Sequence, residues 1–292
     1  MKKHFFIFLL FVSFQSTWAN ELLPVSAYGS IPEISKVVIS PSGDSIAYRK
    51  TNGEKDMVIT YSLKDKKVTG GIDVSEIRPS HIYFVNEDTL ILVAVDNTKL
   101  FGFRGRHNIS AGFSYRISKN KVGQLLVPGK GIYEGQTALG NVVGISNDGR
   151  FAYMPAWKTG GEYALMKVNL AGKRKPKSVK RGMFEAIDYF IHDDKILARE
   201  LYNNEKDRHR VQTLIGNKWV TIFEEEAEIK TKVFVGITSD LQSLVFEAYG
   251  SNQRIGYYTM ALADGKISGP VFNPDDKDIE YVITDVNRIV HG

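Results

Sequence analysis

Of the 292 residues, none is cysteine. That absence excludes disulfide staples, thiolate metal sites and a cysteine nucleophile. The six histidines are scattered, and no two stand at the helical spacing that would hold a metal ion. No Gly-rich loop follows a strand and opens a helix, as phosphate and dinucleotide cradles require. Segments with a 3.6-residue apolar period are missing beyond a couple of turns, which excludes helical repeats. The nucleophile elbow Gly-x-Ser-x-Gly is also missing. Its nearest approaches, Gly144-Ile145-Ser146-Asn147-Asp148 and Gly112-Phe113-Ser114-Tyr115-Arg116, fail at the last position and lie in strand or hairpin context. The reading therefore expects no catalytic residue, no cofactor and no metal.

Long apolar runs are missing too, except near the start. Met1–Ala19 carries Lys2 and Lys3, an apolar run from Phe5 to Phe14, and Thr17-Trp18-Ala19 as a small-residue cleavage site. This is the pattern of a secretory signal peptide, too short to remain as a spanning helix. Its removal leaves 36 basic residues against 33 acidic ones. So even a balance gives no reason to expect nucleic acid as a partner. No integral membrane segment is expected after processing. Export without cysteine suits a periplasmic or secreted protein.

What the chain has in quantity is one hairpin plan, repeated. Val37–Tyr48 (VVISPSGDSIAY), Val142–Tyr153 (VVGISNDGRFAY) and Val233–Phe246 (VFVGITSDLQSLVF) each join two apolar runs through a polar turn. Ile82–Ala94 (IYFVNEDTLILVA) and Ile187–Ala198 (IDYFIHDDKILA) follow the plan with acidic turns. First strands near Val37, His81, Asn141, Glu185, Lys232 and Tyr281 are separated by about 44, 60, 44, 47 and 49 residues. Propeller blades repeat at roughly 40 to 50 residues. We therefore expect an all-β propeller of four-stranded antiparallel blades, about five complete, with Ile279–Thr284 opening a sixth that is cut short. The expected layout is a signal peptide at 1–19, a lead-in segment at 20–33 and the propeller at 34–292, in a chain that ends before the ring is complete.

The long second step suggests an insert, Asp96–Gly112, between the second and third strands of blade two. It gathers Phe101, Phe103, Arg104, Arg106 and His107 on a Gly-punctuated loop. Arg104, Arg106 and His107 are the candidate peptide-binding residues, since guanidinium and aromatic groups suit carboxylates and peptides. The basic run from Lys173 to Arg181 reads as protection of a blade edge. Glu224, Glu225, Glu226 and Glu228 read as a solvated turn.

Ser40–Tyr48 and Ser146–Tyr153 resemble the "SPDG…lAy" blade motif of TolB-like propellers and of the N-terminal propeller in the prolyl oligopeptidase family, nearest its exported acylaminoacyl-peptidase branch. The resemblance covers about Ile31–Gly292. It implies that a C-terminal α/β-hydrolase domain, which these residues do not contain, would act on short peptides whose access the propeller gates. This chain by itself would then be inactive. The dipeptidyl-peptidase amine site, a Glu pair beside Trp and Tyr, is not matched by Glu224-Glu225-Glu226. A stand-alone TolB-like propeller that binds an envelope protein is the other reading.

N-terminal sequencing of the exported protein should start at Asn20, and a product that starts at Met1 would refute the signal-peptide assignment.

Overall fold

The computed structural model describes residues 29, 32–100, 102–172, 174–274, 277, 279 and 281–292. The chain separates into units 1–32 and 33–292, and the second holds the sheets. The signal peptide and nearly all of the lead-in segment lie outside the described residues. Among those described, no helix is long and apolar enough to cross a membrane.

The hairpins become five antiparallel sheets whose strands pair in chain order. Blade one holds β1 (Ile34–Ile39), β2 (Ser45–Thr51), β3 (Asp56–Ser62) and β4 (Lys67–Asp73). Blade two holds β5 (Pro79–Asn86), β6 (Thr89–Thr98), β7 (His107–Arg116) and β8 (Lys121–Gln124), with β9 (Ala138–Leu139) added in parallel to β7. Blade three follows with β10 (Gly144–Ile145), β11 (Phe151–Trp157), β12 (Tyr163–Asn169) and β13 (Lys177–Ser178). Blade four is β14 (Ala186–His192), β15 (Lys195–Asn203), β16 (Arg208–Ile215) and β17 (Lys218–Glu226). Blade five is β18 (Val233–Ile237), β19 (Ser243–Tyr249), β20 (Ile255–Ala261) and β21 (Ile267–Phe272). Five such sheets make the all-β propeller that the repeats imply.

Apolar cores join the blades face to face. Leu90, Leu92 and Tyr115 meet Ala47 and Val58 between blades one and two. Leu125, Leu139, Met154 and Met166 fill the next interface, and Tyr153, Leu165, Tyr189 and Leu201 the one after it. Phe190, Val211, Phe234, Phe246 and Met260 join blades four and five. Sheets packed on both faces need apolar residues at successive positions in their middle strands, and β11 is buried from Ala152 to Ala156. Outer strands β13 and β21 are exposed throughout. Lys177 lies on outer strand β13, with Lys175 and Lys180 beside it, so the described part of that basic run does guard an edge.

The repeated turn has one hydrogen-bond plan. The Oγ of Ser40, of Ser146 and the Oγ1 of Thr238 each accept from the backbone N–H five residues on, at 3.2, 3.0 and 3.1 Å. The backbone N–H groups of the same three residues donate to the carbonyls of Ser45, Phe151 and Ser243. A left-handed residue closes each turn, Gly43 at φ 79°, Gly149 at φ 64° and Leu241 at φ 60°. The conformation is free to glycine and costs an L side chain about 1–2 kcal/mol; Leu241 offsets this by packing on the last core. Acidic turns of the following blades then accept from two of these turns, Ser42 N–H to Glu87 at 2.9 Å and Asn147 N–H to Asp194 at 3.1 Å. Motif turn and acidic turn thus alternate because one donates to the other.

Two expectations need correction. Asp96–Gly112 is not mainly a loop: β6 and β7 continue in register through Asp96↔Ile109, Asn97↔Asn108 and Thr98↔His107. Much of the extra length lies after β8, in 125–143. Glu224–Glu226 belong to β17 rather than to a solvated turn, and strand alternation exposes Glu224 and Glu226 while turning Glu225 inward. The described residues 281–292 of the expected sixth unit form a short antiparallel hairpin, in which Thr284 bridges Val290 and His291 N–H donates to the Ile283 carbonyl at 2.9 Å. Ile289 also pairs in parallel with Ile237 on the first strand of blade five.

Replacing Ser146 by Ala removes the buried acceptor of the Phe151 N–H and should cost about 1–2 kcal/mol. The urea midpoint should fall for this variant and stay fixed for exposed Ser251→Ala; an unmoved midpoint in Ser146→Ala would refute the role given to the hydroxyl.

Candidate functional site

The second-to-third-strand hairpin of blade three, the segment 133–138 before it and Phe184, Ala186 and Ile187 after it line a cavity of about 800 Å³. Trp157 closes β11 and pairs across the ladder with Tyr163, the first residue of β12. Their rings lie 5.2 Å apart, and Trp157 meets the Phe184 ring edge-on at 5.6 Å. Phe184 is 75% exposed and Tyr133, on the facing wall, 44%. Such rings stand in water only at a cost, and a ligand surface would recover it.

The wall around them is held by backbone bonds. Gln136 acts as an extra rung at the end of β11, its Oε1 accepting from Trp157 N–H at 2.9 Å. Its amide donates to the carbonyls of Trp157 and Tyr133 at 3.0 and 2.9 Å. The turn 158–162 is tied by Lys158 Nζ to Glu162 at 2.7 Å. Burial pushes the Tyr163 phenol up, and the Tyr189 phenol behind it up to about 12. The Tyr189 hydroxyl is spent on the Tyr163 carbonyl, to which it donates at 2.8 Å.

The hairpin tip between β6 and β7 reaches this rim. A Cβ on Gly135 would lie 2.3 Å from Phe103 Cζ and 2.7 Å from the Tyr133 hydroxyl, so both rings crowd over that glycine. Phe101 lies outside the described residues. Of the three expected peptide-binding residues, two brace the tip itself. Arg106 Nε donates to Asn97 Oδ1 at 2.8 Å and its Nη2 to the Asn97 carbonyl, and His107 Nε2 donates to the Arg104 carbonyl at 2.9 Å. Arg104 is exposed, and its guanidinium has no partner among the described residues. The aromatic wall escaped the sequence reading because Tyr133, Trp157 and Phe184 are far apart in the chain.

A second polar assembly was also missed. His209 on β16 is wholly buried between Glu200 on β15, at 2.8 Å from Nε2, and Glu225 on β17, at 3.0 Å from Nδ1. Each ring nitrogen thus faces a carboxylate oxygen. Lys230 joins Glu200 at 3.0 Å, and Lys232 joins Glu225 at 2.7 Å. Burial pushes both carboxyls up, but the bonds from His209 and Lys230 leave Glu200 below its usual range. Those from Lys232, Thr231 and His209 bring Glu225 down to about 2. Phe223 and Phe234 close over the ring. This is an electrostatic tie where blade four meets blade five. Its only trace in the sequence is the inward Glu of an acidic strand followed by Lys230 and Lys232.

The two serines of the near-elbow strings are occupied. Ser146 Oγ donates to Asp148 at 2.7 Å while accepting from Phe151, and Ser114 Oγ donates to the Leu170 carbonyl at 2.7 Å. Among the described residues, no group of three His, Asp or Glu is placed to hold a metal ion.

No protein-family model matches the chain, and no curated protein sequence matches it. Solved structures do. The β-propeller domain of the Trilobed protease from Pyrococcus furiosus aligns with 81% of this chain and 69% of its own, at 12% identity and a TM-score of 0.50. TolB from Acinetobacter baumannii aligns with 80% of this chain at 13% identity and a TM-score of 0.44. The acylaminoacyl peptidase of Pyrococcus horikoshii aligns with 81% at 11% identity and a TM-score of 0.46. This chain spans 53% of the TolB chain and 39% of the peptidase chain. The likeness to the Trilobed-protease propeller domain agrees with the five blades, and the resemblance carried by the Ser-Pro-Ser-Gly-Asp and Ser-Asn-Asp-Gly turns is borne out at the level of the fold.

Glu225 should make stability depend on acidity. Its carboxyl titrates near 4.5 without its partners and at about 2 with them, so its stabilisation is complete above about pH 5 and is lost as pH falls toward 2. The urea midpoint of Glu225→Gln should lie below the wild type at pH 6, and the gap should narrow as pH drops from 5 to 2. A gap that stays constant would refute the assignment.

Proposed function

We propose that the chain is the non-catalytic propeller part of an exported, periplasmic or secreted serine peptidase of the prolyl oligopeptidase kind, and that it holds short peptides on their way to a hydrolase domain outside these 292 residues. The observation that carries the reading is the aromatic cleft of Trp157, Phe184 and Tyr133, with the Phe103 and Arg104 hairpin tip at its rim. Apolar walls with few unspent polar groups select side chains rather than a charged small molecule. An extended segment with aromatic or proline side chains fits such walls, since stacked rings bind these side chains with little ordering cost. Arg104, unpaired among the described residues, supplies a cation for a nearby carboxylate. In this reading the module binds and the hydrolase domain cuts.

Binding can be read from Trp157 once Trp219→Phe removes the other tryptophan of the processed chain. Short peptides with aromatic or proline residues should change its fluorescence saturably and remain uncleaved, whereas Gly-Ser peptides should not. Phe184→Ala should weaken binding about tenfold, roughly 1.4 kcal/mol. A flat titration with every peptide, or equal affinity in Phe184→Ala, would remove the cleft from the account.

A further inference from the structure

The first strand of blade five is paired on its inner side by a hairpin turn that its own four-stranded ladder does not need. Ile237 N–H donates to the Arg288 carbonyl at 2.8 Å, and Val290 N–H donates to the Ile237 carbonyl at 3.0 Å. A turn held by Asp285, whose carboxylate accepts from Asn287 and Ile289 N–H at 2.9 and 3.0 Å, presents the segment in this register.

Its side chains reach three blades. Asn287 Oδ1 accepts from Ile145 N–H of blade three at 2.8 Å. The Arg288 guanidinium donates to Asp188 of blade four at 2.6 Å and to the carbonyls of Tyr189 and Phe234 at 3.4 and 3.3 Å, and it lies 4.4 Å from the centre of the Phe190 ring. Ile289 is buried in the core of Phe190, Phe234 and Phe246. A Cβ on Gly236 would lie 2.5 Å from the Arg288 carbonyl oxygen, so a glycine there lets the segment approach.

Backbone bonds to an inner strand, a carboxylate with an aromatic face for a guanidinium, and a pocket for an aliphatic side chain are means by which peptide segments are recognised. We propose that the inner strands of blades three to five form a recognition groove for an Asn-Arg-aliphatic turn, in which the arginine is left-handed as Arg288 is at φ 62°, and that residues 287–289 are its resident occupant. The occupant adds to blades whose ladders are already complete, so it can leave without breaking one. A segment of like sequence on another chain competes for the groove against a tethered ligand of high local concentration. This inference does not depend on the aromatic cleft.

The test uses the full chain and a fluorescent synthetic peptide with the sequence of residues 283–292. Arg288→Ala loosens the resident and should bind the peptide at least tenfold more tightly than the wild type does. Alanine in place of the peptide's arginine, or Asp188→Asn added to the protein, should cost at least tenfold. Equal binding by wild type and Arg288→Ala, or indifference to the arginine, overturns the proposal. Should Arg288→Ala not fold, hydrogen exchange of the wild type decides. The Ile237 and Val290 amides should exchange at least tenfold faster than Val245 and Phe246 on β19, and equal rates would mean that the segment leaves only with global unfolding.

Discussion

Middle strands such as β11, buried at five successive positions from Ala152 to Ala156, are apolar on both faces, and that requirement organises the molecule. A four-stranded sheet of this kind cannot face water on either side, so each must lie against a neighbour. Tyr153, Leu165 and Tyr189 satisfy blades three and four together, and Phe190, Phe234 and Phe246 do so for blades four and five. The first strands come together and the fourth strands face solvent, which is why β13 and β21 can be polar or open while β11 cannot.

The charged groups that enter deepest into these interfaces are matched by partners. An unpaired buried charge costs several kcal/mol, while a paired one fixes geometry. The Glu200–His209–Glu225 chain, with a lysine on each carboxylate, is one such match, and Arg288 between Asp188 and the Phe190 ring is another. Both lie where blade four meets its neighbours. Apolar faces tolerate sliding, but directional bonds of this sort set how one sheet sits on the next.

Function follows from what the packed sheets leave free. Turns at one end are consumed by the motif and acidic bonds that link successive blades. The opposite end, where second strands hand over to third strands, carries the variable lengths, the exposed rings and Arg104, which is unpaired among the described residues. The hairpin ladder through Asn97 and Asn108 makes that end firm enough to place Phe103 over Gly135. The serines that come nearest to a nucleophile are committed to holding strands together.

The five hairpins, their turns and the propeller were legible in the sequence because strand alternation and turn chemistry are local: Ser146 accepts a bond from Phe151, five residues away. Lys177 on the edge strand was legible for the same reason. The loop assigned to Asp96–Gly112 was misread because alternation in a polar hairpin leaves no apolar signature, although its ladder is unbroken. Only tertiary packing could bring Tyr133 and Trp157 together with Phe184, turn Glu225 inward onto a buried His209, or lay Arg288 against Asp188, one hundred residues away. Such contacts are fixed by which sheet faces which, and that depends on the whole set of buried faces rather than on any one stretch of chain.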